Sequence, residues 1–379
     1  MRDFSRYVGI DIHKKTMTWV ALDGKKRELG SGKMPMGALE GWAKKTLTAS
    51  DRVVIEATGN SHHVHGILKA YAGEVLMANP LAMHDRTKAM RKTDRVDAMA
   101  LAEALACDYV KSVWVPDEET RLKREWATHR RGLSAQLTRT KNQMRACLYR
   151  HGRDYTGPGI LDEKAAEEVK KGSLPEMVKS VFLSHWRVGR ALKDEIERLE
   201  GEFSRESLKD DQCLRLMTLP GVKAQAAIII TSAVGDIERF ATPKKLASYS
   251  GLVTSVSKSD ETVRYGPITK QGRSLLRWIM VEAAHAAVMT PGPLRDRYQR
   301  LVRKGKKSQQ AIVAVARHML ELVWIILKRK TVFKHATAKY LVFKFRSVLR
   351  KAYGRCPQKA APALMNAVMG WKACPTTSS

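Results

Sequence analysis

Cysteine is scarce and scattered. The five residues (Cys107, Cys147, Cys213, Cys356 and Cys374) are odd in number and never form a Cys-x-x-Cys pair, which argues against a disulfide frame or a zinc site and for a reducing compartment. No uninterrupted apolar run reaches the roughly 20 residues that a spanning helix needs. The most apolar late stretch, Ile312 to Leu327, is broken by Arg317, His318 and Glu321. The N-terminus begins with Arg2, Asp3 and Arg6 and lacks an apolar signal core, so a cytoplasmic protein with no membrane partner is expected. Acidic residues are few beside basic ones, 38 against 68, a net charge of +30. That imbalance excludes an ordinary small-molecule metabolic enzyme and points to a polyanion, with nucleic acid the partner once the membrane is set aside.

The 379 residues allow two or three domains, and a hydrophobic fraction of 44% with 28% charged is normal for folded protein. The basicity is therefore laid on folded domains rather than on a disordered tail. Over the first ~110 residues strands and helices alternate. Tyr7 to Ile12 and Thr16 to Leu22 alternate around Lys14-Lys15 and predict a hairpin; Val53 to Ile55 and Glu74 to Ala78 predict further strands. Ser61 to Tyr71 and Asp94 to Ala106 predict helices, giving a mixed sheet with helices on its faces.

The pattern then changes. Leu122, Trp126, His129, Leu133, Leu137, Thr140, Met144 and Leu148 recur at helical spacing, and after a break at 152–159 so do Val188, Leu192, Ile196, Leu199 and Phe203. Two long amphipathic helices read as an antiparallel helical hairpin that packs against the same chain or dimerises. Leu219-Pro220-Gly221-Val222 resembles a helix-hairpin-helix turn, whose N–H groups hold a DNA phosphate in one reading and merely join two helices in the other. From Arg297 a basic helical tail interleaves lysines and arginines with Trp324, Phe333, Tyr340, Phe343 and Phe345. That pattern suits stacking on nucleic acid, or an ordinary amphipathic helix with a solvated face. The expected segments are 1–115, 116–208, 209–296 and 297–379.

Asp11 lies in a strand between Ile10 and Ile12, and Glu56 ends the run Val53-Val54-Ile55. A carboxylate among apolar neighbours costs free energy unless a cation pairs with it. Asp94 and Asp97 stand three apart at a helix start and share one face. Singly, each has a bland reading as a turn cap or a charge favouring the helix N-terminus. Together the four carboxylates suit hard divalent cations, Mg²⁺ foremost, of the kind that drive phosphoryl transfer. His13, two after Asp11, reads either as a hairpin or surface histidine or as a neighbour of the metal, and His62, His63 and His65 read as helix surface.

Three segments then carry a resemblance: Val8-Gly9-Ile10-Asp11-Ile12-His13-Lys14, Ile55-Glu56-Ala57-Thr58-Gly59 and Lys92-Thr93-Asp94-Arg95-Val96-Asp97-Ala98. Further along come Pro220-Gly221-Val222, Tyr249-Ser250-Gly251-Leu252-Val253, Gly266-Pro267-Ile268-Thr269-Lys270-Gln271-Gly272 and Leu275-Leu276-Arg277-Trp278. Up to about residue 295 the chain resembles the DEDD transposases of insertion sequences, the group that includes the Piv-type DNA invertases. The resemblance implies a RuvC-like, RNase-H-type α/β N-terminal domain with Asp11, Glu56, Asp94 and Asp97 as metal ligands, a coiled-coil arm, and a mainly α C-terminal transposase domain with a nucleophilic serine. It also implies a covalent protein–DNA intermediate, guidance by a structured bridge RNA that pairs with target and donor DNA, and assembly of dimers to tetramers. In the tetramer one subunit's RuvC-like domain and another's serine would form a composite site.

Ungapped alignment on Gly251-Leu252-Val253 and Gly266 puts Ser259 at the serine position. Asp260 stands where a glycine is common, which leaves the loop less free to adopt positive φ and keeps Ser257 as the alternative. A serine needs activation, for which the metal ions serve, and Arg264 and Lys270 would steady the phosphate. The competing readings are a RuvC-like nuclease that hydrolyses branched DNA with metal-activated water, and a non-catalytic nucleic-acid-binding protein.

Overall fold

The computed structural model describes residues 4–80, 93–155, 159–259 and 262–370, with the side chains of 256–265 outside the description. The chain divides into two compact units, Met1–Pro116 and Asp117–Ser379.

The first unit is built on a five-stranded sheet of order β3-β2-β1-β4-β5, formed by β1 (Arg6–Ile12), β2 (Thr16–Asp23), β3 (Glu28–Pro35), β4 (Asp51–Glu56) and β5 (Glu74–Ala78). The first three strands form an antiparallel meander, while β4 and β5 run parallel to β1. The parallel strands are connected by crossover helices α1 (Leu39–Thr46) and α2 (Ser61–Lys69), whose Leu39, Ala43, Val64 and Leu68 bury against Val8, Ile10, Val53 and Ile55. Helix α3 (Asp94–Ala106) belongs to a different core: its Ala98, Leu101, Ala102 and Leu105 meet Val20, Leu22 and Val54 on the opposite face. The mixed sheet expected from the sequence is present. Strand β3 and helix α1 are additions, and β3 escapes a pattern reading because Gly30 and Gly32 interrupt its alternation.

Gly9 sets the distance between sheet and α3. A Cβ there would lie 2.2 Å from the Ala98 carbonyl oxygen and 2.5 Å from the Ala102 nitrogen, so only glycine lets the helix backbone settle on β1.

The second unit is helical. Helices α4 (Glu118–Tyr149) and α6 (Glu176–Ser207) flank the short α5 (Glu163–Lys171). Trp126 stacks on Phe203 at 4.0 Å, Arg130 pairs with Glu200, and Thr140 lies beside Gly189. Partner numbers fall along one helix as they rise along the other, so the pair is antiparallel. The chain continues through α7 (Asp211–Leu216), α8 (Ala224–Val234), α9 (Pro243–Ser250), the hairpin β6 (Thr254–Ser259) and β7 (Thr262–Ile268), then α10 (Ser274–Ala287), α11 (Pro293–Arg303), α12 (Ser308–Arg329), α13 (Ala338–Tyr353) and α14 (Ala360–Met369). One core joins Ala127, Leu199 and Phe203 of the long helices to α8, α10, α12 and α13.

That core corrects the picture of the C-terminal stretch as a surface for base stacking. Phe333 and Phe345 are buried, Trp324 donates its Nε1–H to the Phe240 carbonyl at 2.8 Å, and of the five aromatics named there only Phe343 is largely exposed. Helix α12 is long and apolar enough to cross a membrane, but most of its apolar window is buried inside this core.

Lys344 on α13 is fully buried and donates to the carbonyls of Met217, Leu219 (2.7 Å) and Val222 (3.1 Å). Gly221 N–H reaches the Tyr340 hydroxyl at a long 3.5 Å. The Leu219–Val222 turn is thus clamped from within by α13, and Gly221 N–H, a phosphate donor in one of the two readings of this turn, has an internal partner.

Candidate active site

Asp11 is the second-last residue of β1 and is only 7% exposed. Ile10 pairs with Ile55 across the parallel strands. The next residues, Asp11 and Glu56, therefore stand side by side at the carboxyl ends of adjacent strands, the usual place for a site in an open α/β sheet. Asp94 and Asp97 occupy the first turn of α3, where the helix dipole favours them, behind the Thr93 N-cap. Because Gly9 lets α3 lie against β1, its acidic N-terminal turn is delivered to the end of that strand.

His13 completes the cluster. Its Nε2 lies 3.0 Å from Asp11 Oδ2 and 3.1 Å from Asp94 Oδ1, and Lys33 Nζ lies 2.7 Å from Asp94 Oδ2. One ligand atom each from Asp11, His13 and Asp94 falls within a 4.8 Å set. The Asp11–His13 approach is close but misdirected: Asp11 Oδ2 is buried and makes no hydrogen bond. Burial pushes the Asp11 carboxyl up from its ordinary pKa; His13 opposes this, and the charges of Asp97 and Asp94 add to it. The Lys33 hydrogen bond holds Asp94 below the carboxylate range, with His13 assisting.

The structure therefore brings Asp11 and Asp94 together, with Asp97 in electrostatic reach. Half-buried Glu56 stands at the neighbouring strand end, outside the 4.8 Å set. The donor set fits a hard divalent cation: an orphaned buried carboxylate oxygen, crowded by like charges, is what such an ion would satisfy. His13 is exposed in the β1–β2 hairpin and at the same time sits between two of the acids, so it fits both of its sequence readings.

The expected serines lie on a structure absent from the sequence reading, the hairpin β6–β7. Its register places Ser257 across from Arg264 and Ser259 across from Thr262. The side chains of Ser257, Ser259 and Arg264 lie outside the described residues. Ser255 donates to the Pro267 carbonyl at 3.1 Å, a bond within the hairpin. Lys270 is exposed and holds a positive φ of 54°.

The feet of the hairpin are tightly fixed. Gly251 (φ 72°) and Gly272 (φ 97°) let two chain segments touch: a Cβ on either would fall 2.2–2.3 Å from the Gln271 or Tyr249 carbonyl oxygen. Arg277 Nη1 donates to the Ser250 carbonyl (2.9 Å) and the Lys270 carbonyl (3.0 Å), stapling one foot to the other. Beneath them Arg124 and Arg239 cap the C-terminal carbonyls of α8, Arg124 through Ser232 and Ala233 and Arg239 through Val234 and Ala233. Arg239 also lies over the Tyr249 ring at 4.5 Å. Burial, and next the charge of Arg273, pull Arg124 down to about 10.

A family model described as a DEDD transposase of the IS110 type matches residues 8–152, and one described as a transposase of the IS116/IS110/IS902 family matches residues 213–299. The chain belongs to this transposase family. Relatives include a putative transposase, y4qE, of Sinorhizobium fredii, 25% identical over 85% of this chain and 88% of that protein. The transposase for insertion sequence element IS1111A of Coxiella burnetii is 24% identical over 74% of this chain and 79% of its own length. The pilin gene-inverting protein of Moraxella bovis is 24% identical over 86% of this chain and 97% of its own. Membership gives DNA transposition or recombination as the activity class. The first match ends with α4 and spans the acidic cluster; the second spans the serine hairpin and both its feet.

Two sets of residues were missed from sequence. The roles of Arg124, Arg239 and Arg277 were not read: Arg124 lies in a basic stretch, Arg239 follows two acids, and Arg277 stood out only as part of the motif Leu275-Leu276-Arg277-Trp278. Their signal is indirect: Gly251 and Gly272 flank the serine segment, and two glycines required at close approach need something to hold the segments together. Lys33 was hidden by the failure to read β3.

Proposed function

We propose that this transposase cuts and exchanges the DNA strands of an insertion sequence through a covalent phosphoserine link, with magnesium as its ion and a structured bridge RNA as its guide, in dimers to tetramers. The observation that carries the reading is the acidic cluster: buried Asp11, without a hydrogen bond on Oδ2, faces Asp94 across His13 at a strand end where Glu56 also terminates. Asp11, Glu56, Asp94 and Asp97 would hold the divalent ions. When bound, these would polarise the scissile phosphate and neutralise charge on the leaving oxygen. Ser259 would supply the hydroxyl that attacks phosphorus, with Ser257 as the alternative. Arg264 and Lys270 would hold the phosphate oxygens by charge-assisted bonds. The rigid feet, stapled by Arg277, restrict the arc through which the hairpin presents its serine.

The test is a trapping assay on a DNA substrate carrying the element's ends. Ser259→Ala removes the covalent protein–DNA adduct and strand exchange, while Asp11→Ala removes all strand cleavage and leaves DNA binding. An S259A protein that still cuts, with S257A equally active, makes the enzyme a RuvC-like hydrolytic nuclease and sinks the phosphoserine reading.

A further inference from the structure

The acidic cluster faces a groove that its four expected ligands leave unexplained. Register aligns Asp11 with Thr18 and Thr18 with Lys33 across β1, β2 and β3, and cross-strand neighbours project from the same face of a sheet. The row therefore runs from the acidic centre outward to the edge strand. It opens on a cavity of about 500 Å³ lined by Thr18, Ser31, Lys33, Asp94 and Arg95.

Two side chains in this groove are under-used. Thr18 is 5% exposed, yet its Oγ1 is buried without a hydrogen-bond partner. A threonine serving only to pack would be replaced by valine without loss, because an unpaired buried hydroxyl costs stability. Lys33 is more than half exposed and spends one bond on Asp94, whereas an ammonium has three N–H donors. Arg95 is held at the rim by paired bonds to both Glu28 oxygens, 2.7 and 2.8 Å, so its charge is locally balanced and Lys33 is the cation poised toward the groove.

We propose that this groove seats a phosphodiester of the DNA strand presented to the acidic centre, with Lys33 bridging that phosphate to Asp94 and the Thr18 hydroxyl donating to it. Lys33 and Thr18 are then positioning residues: they fix the register of the strand so that the neighbouring phosphodiester lies over the carboxylates. The inference rests on the reading of the protein as a DNA recombinase. It adds a contact on the sheet that is separate from the hairpin residues Arg264 and Lys270.

Binding of the full-length protein to a fluorescent DNA duplex, with calcium on the oxygen ligands and over a range of salt, tests it. Lys33→Ala is expected to weaken binding about 10-fold and to lower the salt slope by roughly one, the mark of one lost phosphate contact. Thr18→Val is expected to bind several-fold more weakly with an unchanged slope and an unchanged or raised melting temperature; Thr18→Ser restores wild-type affinity. Lys44→Ala, an exposed lysine on α1, stays within twofold. The proposal is overturned if Thr18→Val binds like wild type, if Lys33→Ala loses no more than Lys44→Ala, or if the losses occur on an RNA hairpin and not on DNA. Wild-type protein that fails to bind DNA would bring down the recombinase reading as well; normal DNA binding with unaffected variants removes the groove alone.

Discussion

Replacing Lys344 by methionine tests how the helical unit is held together. The side chain is 1% exposed, and its ammonium serves the carbonyls of Met217, Leu219 and Val222 at once. Burial, and then the charge of Lys223, push its pKa well down. Three accepting carbonyls nevertheless call for three N–H donors, which only the protonated form has. Methionine fills similar volume but leaves the Met217 and Val222 carbonyls bare, while Leu219 keeps the Val222 N–H at 3.3 Å. Each buried unsatisfied acceptor costs ~1–3 kcal/mol. The lower end applies, because the variant no longer has to desolvate an ammonium, so the expected net loss from the two bare acceptors is about 2 kcal/mol. For a unit of this size that is roughly 4–8 °C in melting temperature. Differential scanning calorimetry reads the shift, and hydrogen exchange at 217–222 locates it. A K344M protein as stable as wild type, with its turn amides equally protected, would refute the claim that the ammonium clamps the turn.

Two further outcomes follow from the geometry. Gly9→Ala puts a methyl group against the α3 backbone at Ala98 and Ala102; because backbone cannot swing aside, unit stability falls by about 1–3 kcal/mol and strand cleavage is lost as Asp94 moves off Asp11, and a variant that cuts DNA normally would contradict this. Glu200 is paired with Arg130 and Lys351; burial works to raise its pKa, but the Lys351 and Arg130 bonds outweigh it and hold the carboxyl below its ordinary value. The stabilisation from this pair is thus complete above the unfolded carboxylate pKa and is lost as pH falls through the lower folded one, so denaturation midpoints measured from pH 6 down to 3 should fall less steeply for Glu200→Gln than for wild type.

Much of the fold was legible because the first unit obeys period-two and period-3.6 patterns: β1, β2, β4, β5 and α3 appear where alternation and Ala-rich spacing put them. Strand β3 was not, since an edge strand with Gly30 and Gly32 has neither β-propensity nor a buried face to enforce alternation. The acids Asp11 and Glu56 stood out because carboxylates at the ends of apolar strands need a reason. His13 did not, because a histidine after a strand is ambiguous until the helix carrying Asp94 is laid against it. The buried Lys344 was hidden in a basic stretch: composition cannot tell which of many lysines turns inward, and that choice is made by carbonyls more than a hundred residues earlier.

The extent of the helical core has a consequence for synthesis on the ribosome. The sheet unit draws its whole core from the first 116 residues, so the acidic cluster is assembled early in translation. The hairpin with the serines rests on a core that needs Val348, Ala361 and Val368 from the far end. A nascent or prematurely terminated chain therefore carries a finished sheet unit and an unsupported β6–β7 hairpin. The hairpin's footing is complete only once the last helices have emerged and packed.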